Sequence, residues 1–202
     1  GNVDTRTGIP TLNTAQAQAC ERAGSDPSGS ADDRARLALV RLQQGDPSTA
    51  SDTLKAATEA EAEGSGIGSF VLGMMHERGL SPLKYDIDLA AAKFADAAAK
   101  GILPAAGRLC ADTLDVQIKL PPGTPDTATL CTDAARRGSA VGQHRLGLLY
   151  EYGEGGIAYD ASKAVELYRQ AAAQGNSTGQ YLLASMLQRG EGTAQDLVEA
   201  RR

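Results

Sequence analysis

The residues of this chain whose types and spacing suit chemistry are three cysteines, two histidines and one serine–lysine pair. Cys110 and Cys131 stand twenty-one positions apart, and two thiols so placed can ligate a metal, form a reactive pair, close a disulfide or do none of these. Cys20, in "AQACERAG", is left over. "SPLK", Ser81 to Lys84, matches the S-x-x-K signature of serine β-lactamases, in which a serine nucleophile is followed by a lysine three residues on. His76 and His144 supply the two imidazoles that a general base or a metal ligand would need.

None of these grows into a catalytic set in the sequence. The S-x-x-K match sits beside Pro82, between helical patterns, and neither S-D-N nor K-T-G accompanies it. The histidines lie far from the cysteine pair, so the zinc ligand set is incomplete and no metal site is expected. The glycines of "YGEGGIAYD" lack the G-K-[ST] ending of a phosphate loop. Catalytic residues are therefore expected to be absent, and with them any cofactor.

Composition narrows the classes further. The chain has 202 residues, a formal charge of −5 and no Trp. Its Lys and Arg are scattered rather than gathered in a stripe, which argues against a nucleic-acid partner. No run of 18 apolar residues exists, so direct membrane insertion is not expected. The opening "GNVDTRTGIP" shows no charged-then-apolar leader and says little about where the protein resides.

The elements that position these residues repeat. Gly64, Gly101, Gly138 and Gly175 recur every 37 residues, as do Leu72, Leu109, Leu146 and Leu183. Alanine pairs at 97–98, 134–135 and 171–172 keep the same interval. A fixed period of this length marks an array in which each unit buries its face on the next. Each period reads as two helices. In "SAVGQHRLGLLYEYG" apolar residues fall near helical spacing and stop at Gly153; Asp160 then caps "ASKAVELYRQAAAQG", which ends at Gly175. Asp86 and Asp88 are assigned to the same capping task in the second unit. No strand pattern is present. The expected fold is all-α, an α-solenoid of antiparallel helix hairpins wound as a right-handed superhelix.

At "LGLLYEYGEG…D…KAVELYRQAAAQG", "VLGMMHERG…AAAKFADAAAKG" and "YLLASMLQRGEGTAQD" the chain resembles the Sel1-like repeat family, relatives of the tetratricopeptide repeats. The resemblance covers about residues 66 to 202, while 35 to 64 looks more like an ordinary tetratricopeptide hairpin. The expected organisation is an extension with a capping helix (1–30), that hairpin (31–64), a repeat (65–101), a degenerate repeat (102–138), a regular repeat (139–175) and a partial one (176–202). Because the last unit stops soon after its second helix begins at Asp196, truncation of a longer chain is the favoured reading.

Repeat phase gives the cysteines a setting. Cys110 takes the place of Gly73 and Gly147, and Cys131 the place of Phe94 and Tyr168. Helices packed over a glycine approach closely, which suits a disulfide. Cys110–Cys131 is therefore read as a bond stapling the third hairpin; the alternative is two buried free thiols filling small holes. The bond would imply an oxidising compartment, periplasmic or secreted. A helix over about residues 13 to 23 would carry Cys20, whose partner is expected among residues lost upstream.

The resemblance implies a protein-binding adaptor. Periplasmic members of the family regulate sensor kinases, organise cell-pole components or scaffold polysaccharide secretion. The expected partner is thus a protein, of the membrane-signalling or envelope-assembly kind. First helices usually line the binding surface, which nominates Gln143, His144, Glu151, Gln180, Tyr181 and Gln188, with Phe70 and Glu77 a turn away. For Phe70, His144 and Tyr181, which share one phase, packing between repeats is the competing role. Cysteine-rich relatives have been linked to β-lactam binding, so the alternatives are a β-lactam-interacting hydrolase or an accessory domain of a larger enzyme. A polysaccharide scaffold is disfavoured by the shortage of aromatics.

Overall fold

A computed structural model describes residues 3–4, 9–10, 29–115 and 118–201. Nine helices are found among the described residues: α1 (Ala31–Gln44), α2 (Ala50–Ala62), α3 (Gly66–Arg78), α4 (Ile87–Ala99), α5 (Leu103–Asp115), α6 (Thr127–Arg136), α7 (Ala140–Tyr152), α8 (Ala161–Ala173) and α9 (Ser177–Arg189). The expected all-α repeat fold is present. One addition escaped the sequence: Val3–Asp4 (β1) and Ile9–Pro10 (β2) form an antiparallel ladder with Val3 opposite Pro10. β-Branched Val3 and Ile9 favour extended backbone, but two residues a side are too few to show alternation. Cys20 and its expected helix lie outside the described residues.

Local chemistry sets where each helix starts and stops. Ser30 opens α1 with a capping box, its hydroxyl accepting from the Asp33 N–H at 3.2 Å while Asp33 reaches back to the Ser30 N–H at 3.3 Å. The second helices are capped by Asp86, Asp126 and Asp160, whose carboxylates accept backbone N–H groups at 2.9, 2.8 and 3.0 Å. Asp160 and Asp86 thus do what the sequence assigned them. Asp88 does not: its carboxylate accepts the Lys119 N–H at 2.7 Å and secures the connection after α5. First helices α1, α3, α7 and α9 end at Gly45, Gly79, Gly153 and Gly190, all left-handed. The capping N–H groups bond the carbonyls of Arg41, Met75, Leu149 and Met186, which fixes a common register for these four helices.

The chain divides into two compact units. In the first, which holds residues 29–105 and 118–124 of those described, α1 packs on α2 and α3, α2 on α3, and α3 on α4. Its core is Leu37, Val40 and Leu42 of α1, Ala57 and Ala60 of α2, Phe70 to Leu72, Met74 and Met75 of α3, and Phe94 among the alanines of α4. The Ser81–Pro82 bond, in the connection from α3 to α4, is cis. Lys93 of α4 pairs with Glu61 of α2 at 2.6 Å.

In the second unit, which holds residues 3–4, 9–10, 106–115 and 125–201 of those described, α6 packs on α7, α7 on α8, and α8 on α9. Ala161, Ala164, Val165, Tyr168, Leu183, Met186 and Leu187 form its main apolar cluster. After α9, Asp196 receives the N–H groups of Val198 and Glu199 and starts a 3-10 turn at Glu199–Arg201. The sequence placed a helix start at that aspartate.

Candidate functional site

The candidate surface is built from first helices, so what they bury decides what they offer. Gly147 of α7 lies under the Tyr168 ring: a Cβ there would stand 2.5 Å from Cε1. Gly73 and Phe94 repeat the arrangement in the other unit, with the Cβ at 2.6 Å from Cε1. These distances are too short for any side chain but hydrogen, and they bring helix axes close. At the same register Cys110 and Cys131 are joined by a disulfide, their Cα atoms 4.9 Å apart and both residues fully buried. One glycine–aromatic contact has become one covalent bond.

Tyr168 also heads a polar network. Its hydroxyl donates to Glu151 at 2.6 Å, and Arg189 of α9 donates to the other oxygen of that carboxylate at 2.8 Å. Arg189 pairs in turn with Glu191 at 3.3 Å, and the Tyr159 hydroxyl donates to Glu191 at 3.1 Å. Burial, then the Glu151 carboxylate, push the Tyr168 phenol far above the ordinary range, so it serves only as a donor. The Glu151 hydrogen bond raises the Arg189 guanidinium, and Glu191 raises the Tyr159 phenol. The buried Glu151 carboxylate thus has a protein donor on each oxygen, while Arg189 at its rim is half-exposed.

Four of the eight nominated contact residues lie inside the packing, which corrects their assignment to a binding face. Phe70 is buried with its ring centroid 5.8 Å from that of Phe94. Gln143 is buried and accepts from the Gln174 amide at 2.7 Å. His144 is buried, and Glu151 is the hub just described. The physical reason is that first helices are enclosed by neighbours on several sides, so even their polar positions face protein. Glu77 is half-buried. Gln180, Tyr181 and Gln188 of α9 are exposed, Tyr181 at 73%. In the register where Phe70 and His144 are 3% and 5% exposed, Tyr181 is thus free on the surface.

The remaining chemical candidates do not converge. Ser81 and Lys84 are both exposed in the connection between α3 and α4. His76 is half-buried, and burial lowers its imidazole pKa. Among the described residues no group of three His, Cys, Asp or Glu is placed to hold a metal ion, and no helix is long and apolar enough to cross a membrane. Sequence reading missed Arg189, Tyr159 and Glu191. A signal was there: Glu151 and Arg189 are opposite charges separated by one period plus one residue.

The Sel1 repeat family pattern matches residues 68–101, 140–176 and 177–202. No curated protein matches the chain in sequence. Among solved structures, a protective antigen of uropathogenic Escherichia coli strains with an SLR fold superposes with a TM-score of 0.73 at 22% identity, covering 96% of this chain and 40% of that one. A Sel1 repeat protein from Oxalobacter formigenes superposes with a TM-score of 0.75 at 20% identity, covering 92% of this chain and 73% of the other. The chain therefore spans less than half the length of the first. Sel1 repeats are typically protein-interaction scaffolds and generally non-catalytic. With the repeated hairpins, their glycine-capped first helices and these matches together, residues 68–101, 140–176 and 177–202 are Sel1 repeats, set in a fold shared with Sel1-repeat structures.

Proposed function

We propose that the protein is a non-catalytic scaffold that binds a protein partner in an oxidising compartment, the periplasm or outside the cell, as a regulatory or assembly module. The observation that carries the reading is the repeated hairpin array with its Sel1 matches, since such repeats generally mediate protein–protein contact; Tyr181 on α9 is the contact candidate tested first. With Gln180 and Gln188 also exposed on α9, it offers an aromatic anchor flanked by amides, a combination suited to protein contact. Glu77 is a second contact candidate on its own unit. Phe70, Gln143, His144 and Glu151 hold the helices that present such side chains. The disulfide supports the compartment, because such bonds persist where thiols are not kept reduced.

The test is affinity capture from periplasmic extract with the wild-type chain and with Tyr181→Ala plus Gln188→Ala. A specific partner lost from the double variant, with the melting temperature unchanged, supports the reading. Equal capture by both removes α9 as the contact face. Free thiols at Cys110 and Cys131 in natively exported protein would remove the argument for the compartment.

A further inference from the structure

A small cleft of about 120 Å³ opens in the first unit, lined by Arg41, Leu42, Pro47, Ala50, Thr53, Met75 and Leu80 among others. Its walls differ at two places from the corresponding positions of the regular hairpins. In the register fixed by the glycine caps, Arg41 stands where Met75, Leu149 and Met186 stand, and those three are 0, 1 and 0% exposed. The large apolar side chain found at this register in α3, α7 and α9 is here a guanidinium, half-buried at the cleft, while α5 carries Asp112 there. In the 37-residue phase, Thr53 stands where Ala90 and Ala164 are fully buried and where Thr127 keeps a threonine.

Both substitutions leave polar groups without use. Thr53 is 2% exposed, yet its hydroxyl has no hydrogen-bond partner. Buried hydroxyls are ordinarily satisfied, so an orphan one lining a cleft points to a ligand atom. Arg41 makes no ion pair among the described residues. The one carboxylate on the rim, Asp46, is turned away onto the Ser48 N–H at 2.9 Å. A cation with no ion pair among the described residues and a hydroxyl with no hydrogen-bond partner, over walls of Leu, Met, Ala and Pro, complement one chemistry: a carboxylate on a short hydrocarbon.

We infer that this cleft binds a small aliphatic monocarboxylic acid, its carboxylate against Arg41 and the Thr53 hydroxyl and its chain against Leu42, Met75 and Leu80. The site goes beyond the partner-binding reading and lies on other residues. A charge-assisted contact from Arg supplies the orientation, and the apolar walls favour a chain over a bare anion.

The test is a methyl NMR titration of the full chain with sodium hexanoate, hexanol and hexylamine. Hexanoate should give saturable shifts confined to the methyls of Thr53, Leu42, Met75 and Leu80. Its affinity should exceed that of hexanol by at least about ten-fold, with no saturation by hexylamine. Arg41→Met and Thr53→Ala install the residues that other hairpins carry, so both variants should fold, which melting checks. Arg41→Met should abolish saturable binding and Thr53→Ala should weaken it several-fold. Hexanol binding as tightly as hexanoate, shifts unchanged in Arg41→Met, or no saturation up to about 50 mM hexanoate would each overturn the inference. So would saturation only by a peptide ending in a free leucine, which would make the occupant a polypeptide terminus.

Discussion

Tyr168 lies across Gly147 so closely that a methyl group on the glycine would meet the ring at 2.5 Å. Adding that methyl gains about 1 kcal/mol of helix propensity. It also forces apart two helices around a fully buried ring. Overpacking of this kind costs about 1–3 kcal/mol, so Gly147→Ala should lower stability in urea denaturation. Unchanged or raised stability would show that the contact has slack.

The same register makes the disulfide replaceable. Non-reducing peptide mapping should recover Cys110 and Cys131 in one linked species. Closing a loop of this sequence separation of 21 contributes roughly 3 kcal/mol, so reduction should lower the melting temperature. Cys110→Gly with Cys131→Tyr should restore part of the loss by rebuilding the contact seen at Gly147 and Tyr168. Each single change should do worse, since one leaves a hole and the other a crowded ring. A double variant no more stable than either single one would refute the equivalence of bond and contact.

Removal of one hydroxyl should be felt through Glu151. Tyr168→Phe leaves a buried carboxylate with one fewer donor and should cost about 1–3 kcal/mol. Phe94 occupies the equivalent place without a hydroxyl, so the ring itself is tolerated. A double-mutant cycle with Glu151→Gln measures the coupling. A coupling energy near zero would mean that Tyr168 acts through packing alone.

Acid should act first through His76. Burial lowers its imidazole pKa from the ordinary 6.5, although Asp86 and Glu61 oppose this. The unfolded chain then takes up the proton before the folded one, so stability is full above 6.5 and falls as pH drops below it. His76→Leu, the residue found at this register at Leu42 and Leu187, should flatten the melting temperature between pH 7 and 5. The N-cap aspartates Asp126 and Asp160 are held below their ordinary 3.8 by backbone hydrogen bonds, so their loss belongs to lower pH. An identical slope in wild type and variant would assign the acid sensitivity elsewhere.

What was legible in the sequence is what depends on period. Gly64 and its successors, the capping Asp160 and the shared register of Cys110 and Cys131 with the glycine–aromatic pairs all follow from counting in steps of 37. Which side chains are buried does not follow from counting. On α7 the buried set runs Gly142, Gln143, His144, Leu146, Gly147, Leu149 and Glu151, nearly all round the helix. A first helix flanked by neighbours has no purely polar face, so polarity marks no outer surface there. Gln143 and Glu151 are polar because partners on other elements satisfy them: Gln174, after α8, and Arg189 of α9. The cleft at Arg41 escaped for a related reason: one arginine in a helix is unremarkable until the glycine cap shows which residue it replaces.

The bond between Cys110 and Cys131 encloses the whole connection from α5 to α6, and that stretch contains a single basic residue, the exposed Lys119. Trypsin cutting after Lys119 would therefore sever the backbone without releasing either piece. The nicked chain should migrate as one species on a denaturing gel and separate into two only with reductant. A covalent strap of this kind makes the longest irregular connection of the array expendable to proteolysis, a useful property in a compartment where proteases are met in the folded state.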